Sequence, residues 1–171
     1  MKRIFFLLIT LFVITQSYSQ NRNKGYRGFA DLGAHFNIGD TDAKGTSYNV
    51  STSHGYQFNP HIFLGGGAGF DYYSDAEEVF IPLFANIRLN LLDSKVSPYF
   101  DLKAGYSVGQ SCGIYANPSL GVGIFISPKY VLNLSVSCVA QESERSVDHP
   151  IDNSIFRRIM LGAGFKIGLE F

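Results

Sequence analysis

From Tyr26 onwards the chain alternates apolar residues with polar or small ones at a period of two. The alternation comes in segments of about ten residues separated by turn signals. No other feature constrains the fold so tightly. A period of two sends successive side chains to opposite faces of a strand, and a helix cannot keep such a pattern on one face. One such segment is weak testimony. Eight in succession predict an all-β chain, an eight-stranded antiparallel up-and-down barrel with its apolar faces turned one way and its polar faces the other.

The first segment, Tyr26 to Ile38, sets Tyr26, Gly28, Ala30, Leu32, Ala34, Phe36 and Ile38 against Arg27, Phe29, Asp31, Gly33, His35 and Asn37. The second, Thr46 to Phe58, ends at the turn Asn59-Pro60, and the third runs from His61 to Tyr73. Val79 to Leu91 is the fourth, with Ile81, Leu83, Ala85, Ile87 and Leu89 opposed to Phe84, Asn86, Arg88 and Asn90. Ser97 to Gly109, Ile114 to Ile126, Tyr130 to Ala140 and Ser154 to Phe171 complete the set. Short connections are expected near Asn59, Asp93 and Pro128. Longer, more polar ones are expected at Asp40 to Gly45, Ser74 to Glu78, Gln110 to Gly113 and Gln141 to Asn153. Pro82, Pro98 and Pro118 fall inside segments, where the missing N–H suggests strand starts, bulges or rim positions.

Alternation alone leaves open which face is inside, because a soluble ligand-binding barrel also alternates. Four features turn the apolar face outward, towards lipid. The polar face is Gly, Ser and Asn rather than abundant Lys and Glu, which suits a narrow lumen. Charged residues are only 16% of the chain, against roughly a quarter in a soluble protein. Tyr and Phe gather near segment ends, as interfacial girdles do. The sequence also stops on Phe171, in step with the apolar face of its last segment.

The N-terminal stretch agrees with an exported protein. Lys2 and Arg3 precede an apolar run from Ile4 to Ile14 broken only by Thr10, and Ser17-Tyr18-Ser19 offers a small-x-small cleavage site before Gln20. That order reads as a signal peptide over 1–19, too short in its apolar run for a spanning helix, with one barrel domain over 20–171. With the leader gone, 12 of the 14 Lys and Arg face 14 Asp and Glu, a net charge of −2. Such a balance gives no reason to expect nucleic acid as a partner.

The segments Gly55 to Phe70 (GYQFNPHIFLGGGAGF) and Phe80 to Leu91 (FIPLFANIRLNL) resemble small outer-membrane β-barrels of the OmpX/OmpA type. The run Phe165, Ile167, Leu169, Phe171 resembles the signal read by the barrel-assembly machinery. The resemblance spans Gly25 to Phe171 and implies an integral protein of the bacterial outer membrane. It would be embedded in outer-membrane lipid as a monomer and handled by the assembly machinery during biogenesis. The family's roles are structural, adhesive, stress-resistant and in a few cases enzymatic, so fold does not select among them.

Chemistry is sparse. Gly65-Gly66-Gly67-Ala68-Gly69 lies within an alternating segment with no helix to follow, so it makes room for bulky neighbours rather than cradling phosphate. No His or Cys pair has metal-ligand spacing, and neither a metal nor a cofactor is expected. The inward charges are Arg27, Asp31, Asp71, Arg88, Asp101, Lys103, Arg158, Lys166 and Glu170. Eight strands leave only enough interior for side chains, and buried charge must be paired, so one connected polar network plugging the lumen is expected. A structural or surface-contact role through the outer loops follows, without enzymatic activity. The alternatives are a lipid-A-modifying enzyme, using His149 with Asp148 and Ser146 or His54 with Ser53, and a narrow channel. No His-x-Ser dyad supports the first. Cys112 and Cys138 fall at the same end of the barrel but not opposite one another, so two free thiols are expected.

Overall fold

The computed structural model describes residues 24–38, 45–74, 77–109, 112–127, 129–146 and 155–171, with the side chains of 143–146 and 155–158 left aside. The leader expected over 1–19 lies outside the described residues. Eight strands follow one another: β1 (Gly25–Asn37), β2 (Thr46–Asn59), β3 (Ile62–Tyr73), β4 (Glu78–Asn90), β5 (Val96–Gly109), β6 (Gly113–Phe125), β7 (Val131–Ser146) and β8 (Ile155–Glu170). Each pairs antiparallel with its sequence neighbour, and β8 pairs with β1 to close the barrel. The expected all-β, eight-stranded architecture is the one observed.

Local chemistry fixes the turns at one end. Asn59 Oδ1 accepts hydrogen bonds from the backbone N–H of His61 (2.8 Å) and Ile62 (2.9 Å), which holds the β2–β3 reversal next to a register shift between Gln57 and Asn59. In the β4–β5 turn Ser94 Oγ donates to the Val96 carbonyl (2.6 Å). Ser127 and Tyr130 exchange backbone hydrogen bonds across the β6–β7 turn. At the other end, only the connections over 38–45 and 147–154 exceed those turns in length. Those over 74–77 and 110–112 are as short, so the expected asymmetry holds for the first and last connections alone.

Two boundaries correct the sequence reading. Gln141 to Ser146, expected to open a loop, continue β7 and pair in register with β8 as far as Ser146↔Ile155. Polarity on both faces made this stretch look like a loop. Pro82 and Pro118 are not at strand starts or at the rim but lie mid-strand. Beside each, one ladder is interrupted: β3–β4 between Ala68↔Leu83 and Asp71↔Phe80, and β6–β7 between Ala116↔Ala140 and Ser119↔Ser137.

The faces divide as the alternation requires. Leu32, Phe36, Tyr48, Val50, Leu83, Leu120, Val136 and Phe165 are all more than half exposed on the outer wall. Inside, Asp31, Asn49, Ser51, Asn86, Arg88, Asp101, Lys103, Asn117, Lys166 and Glu170 are buried. A water-soluble protein is built the other way round, and an apolar wall this extensive requires an apolar solvent. The thiols of Cys112 and Cys138 are free, with Cys138 exposed on the outer wall.

Candidate functional site: the lumen

Among the described residues, charged groups from several strands converge in the lumen. β4 and β5 place Arg88 directly across from Asp101, and Arg88 Nε donates to Asp101 Oδ2 at 2.9 Å. The guanidinium lies between two rings, 4.1 Å from the centroid of Phe29 and 4.2 Å from that of Tyr99. A planar, weakly hydrated cation stacks in this way where an ammonium would not. Phe63 packs edge-on against Phe29 at 4.8 Å and completes the layer nearest the turns.

One layer further in, Lys103 Nζ donates to Asp31 Oδ2 and to Ser51 Oγ, each at 2.7 Å, and stands 5.1 Å from the centroid of the Phe84 ring. Lys166 Nζ donates to Asn117 Oδ1 at 2.6 Å, and Asn117 Nδ2 donates in turn to the Cys138 carbonyl at 2.9 Å. Asn49 donates to Asp71, and Asn86 to Ser53 at 3.1 Å. His35 Nε2 and Ser137 Oγ are 2.8 Å apart. Towards the loop end Phe84, Tyr115 and Val139 form one buried cluster and Tyr73, Phe80 and Met160 another. There Ser107 Oγ donates to Gln141 Oε1 at 2.6 Å.

The sequence-expected residues thus separate. Asp31, Asp71, Arg88, Asp101, Lys103, Lys166 and Glu170 are all buried in the lumen. Arg27 is only half-buried at its turn-end mouth. The side chain of Arg158 lies outside the described residues, as do Asp148, His149 and the side chain of Ser146. Arg88 and Lys103 each hold a carboxylate, whereas Lys166 and Asp71 are met by amides. Amides satisfy a buried ion without importing a second charge to desolvate. Among the described residues no cluster of His, Cys, Asp and Glu could hold a metal ion. His54, the other histidine considered for catalysis, is exposed on the outer wall, whereas Ser53 points inward.

What the sequence reading missed is the aromatic half of the lumen. Phe29, Phe63, Tyr73, Phe80, Phe84, Tyr99 and Tyr115 are each at most 5% exposed. The signal was present, since Phe29 and Phe84 fall in the polar registers of their strands. The inward glycines are the complement to these rings. A Cβ on Gly65 would lie 2.7 Å from Phe63 Cζ, one on Gly67 2.8 Å from Phe84 Cε2, and one on Gly121 2.7 Å from Tyr99 Cζ. Within the glycine run, Gly65 and Gly67 thus leave room for rings and for the β2 backbone, whose His54 and Thr52 carbonyls would lie closer still to such a Cβ.

No protein-family model matches the chain, and no curated protein matches it. Solved structures do. A de novo designed transmembrane β-barrel is 14% identical, with the alignment covering 88% of this chain and 98% of the design at a TM-score of 0.51. The N-terminal β-barrel domain of Pseudomonas aeruginosa OprF is 13% identical, covering 88% of this chain and 99% of that domain at a TM-score of 0.50. At such identities the likeness concerns fold alone, and it agrees with the exposed apolar wall: this chain has the fold of a transmembrane β-barrel.

Proposed function

We propose that the protein is a solid-cored outer-membrane barrel that makes surface contacts through its loop end. One observation carries this reading. Beyond Glu142, whose Oε2 accepts from the Ile114 N–H on β6 (3.3 Å), the β7–β8 ladder runs on for four register pairs, from Ser143↔Arg158 to Ser146↔Ile155. Its neighbours stop earlier: β6 pairs with β7 only as far as Tyr115↔Gln141, and β1 pairs with β8 as far as Asn37↔Gly162, with one further bond from Ile38 N to the Leu161 carbonyl. Among the described residues no third strand pairs with the outer edges of 143–146 and 155–158. This ribbon extends past its neighbours by roughly 14 Å along the strands at the usual rise per residue.

An unpaired strand edge is a template for another extended chain, with backbone hydrogen bonds for affinity and alternate side chains for selectivity. The expected partner is therefore an extended protein segment outside the cell. The buried ion pairs and ring clusters of the lumen favour contact over conduction, because any permeating ion would have to displace them.

The test is to replace residues 143–158 by a two-residue Asn-Gly turn and to compare cells carrying either form. The shortened barrel is expected at the same surface density and with the same heat-modifiable gel mobility, while cell aggregation and attachment to protein-coated surfaces fall to the level of a deletion strain. Undiminished attachment would overturn the proposal.

A further inference from the structure

The seam between β1 and β8 differs from every other strand pair. The other seven join consecutive strands through connections of at most eight residues, which limit their register, whereas the seam joins strands from opposite ends of the domain. Something must select one alignment of β8 on β1. A slip by one residue would reverse the faces, so the competing alignments are slips by two, which keep every side chain on its proper side.

Phe171, the residue after β8, is held by a pair of backbone hydrogen bonds with Gly28: Gly28 N donates to the Phe171 carbonyl (2.8 Å) and Phe171 N to the Gly28 carbonyl (2.9 Å). Its ring lies over the Gly28 α-carbon. A Cβ there would come within 2.5 Å of Phe171 Cε2 and 2.7 Å of Cζ, and its three nearest atoms would all be in that ring. The outward residues of β1 are Tyr26, Gly28, Ala30, Leu32, Ala34 and Phe36, so Gly28 is the single glycine on that face. A slip by two would set the Phe171 ring on Ala30 or Tyr26, where a side chain already stands.

The far wall of the notch is His54, the register partner of Gly28 on β2. Its ring meets Phe171 edge-on at 6.3 Å and stacks with Tyr26 at 6.0 Å. Two hydrogen bonds hold it. Thr52 Oγ1 donates to the Phe29 carbonyl (3.0 Å), so its oxygen is left to accept from His54 Nε2–H (3.0 Å), and Nδ1 accepts from the Tyr26 hydroxyl (2.6 Å). A histidine on an apolar wall is explained if its ring is the rigid side of a socket.

We infer that Phe171 and the notch formed by Gly28, His54 and Tyr26 are the register key of the barrel seam: the ring fits one position on β1, and seating it fixes the alignment in which the barrel closes. This is a role within the folded chain, separate from any recognition of Phe171 by assembly factors.

The experiment uses the full chain refolded into phosphatidylcholine vesicles, where no assembly factor is present. Unfolding rates in urea are read from heat-modifiable gel mobility for wild type, Gly28→Val, Phe171→Ala and the double variant. Each single change is expected to accelerate unfolding by about tenfold, the scale of one overpacked or emptied contact. The double variant should unfold no faster than Phe171→Ala alone, since the valine then obstructs nothing. Additive effects, or an unaltered rate in Gly28→Val, would overturn the inference. Should Gly28→Val fail to refold, Gly28→Ala carries the same cycle with a smaller obstruction.

Discussion

Arg88 shows how much of this molecule is decided by one side chain. Its cation is buried, bonded to Asp101 and faced by two rings. Replacing it by Leu leaves Asp101 as a buried charge without its cation, at a cost of about 3–5 kcal/mol. Urea unfolding in detergent micelles should register that loss, and Arg88→Leu combined with Asp101→Leu should recover much of it. Arg88→Lys is expected to fall between, since an ammonium keeps the charge but stacks poorly between Phe29 and Tyr99. A neutral Arg88→Leu would mean that water solvates Asp101 in the lumen. Arg88 Nη1, Asp101 Oδ1 and both amide atoms of Asn133 are buried without a hydrogen-bond partner among the described residues, which marks where such water would bind. The sequence disclosed that Arg88 and Asp101 point inward, because period two fixes the face. It could not disclose that they are opposite one another or that Phe29 and Tyr99 enclose the guanidinium. Those contacts depend on register between strands, and alternation within a strand is blind to register.

At the scale of the element, strand number and most boundaries were legible to within a residue or two, because the apolar half of each pattern marks where a strand crosses lipid. β7 escaped for the same reason. Past Gln141 no lipid faces the strand, the apolar signal ends, and only the ladder with β8 shows that it continues. Pro82 and Pro118 misled in the opposite direction. Each strand has two neighbours, and a missing N–H interrupts one ladder while the other stays intact: Pro82 remains paired with Ser107, and Pro118 with Leu102. The ribbon should consequently behave as a separate unit. Amide hydrogen exchange is expected to be slow through β8 from Gly162 to Glu170 and much faster at Ser143–Ser146 and their partners, where one ladder alone protects the chain. Removing the ribbon should leave the unfolding midpoint of the barrel unchanged. A midpoint that falls with the ribbon would show it to be part of the cooperative core.

For the whole molecule, an outside of Leu, Ile, Val, Phe and Tyr and an inside of ions, amides and rings determine what it can pass. An ion crossing the lumen would meet the Phe29–Phe63–Tyr99 layer around Arg88, the Lys103–Asp31 pair, and the ring clusters at Phe84–Tyr115 and Tyr73–Phe80. Moving a bare ion into such an interior costs several kcal/mol even after relaxation, and each layer would also have to give up its own pairing. Purified protein in planar bilayers should therefore show no steady conductance steps. Truncating the loop-end rings alone, as Phe84→Ala with Tyr115→Ala, should not open a path either, because the Arg88 layer still blocks the turn end. Only the further loss of that layer, of the Lys103–Asp31 pair and of the Tyr73–Phe80 rings is expected to give sustained current. Steady steps from the wild-type protein would reverse the argument, since they would require the Arg88–Asp101 and Lys103–Asp31 pairs to exchange partners readily. The narrow channel would then replace the solid core as the reading of this lumen.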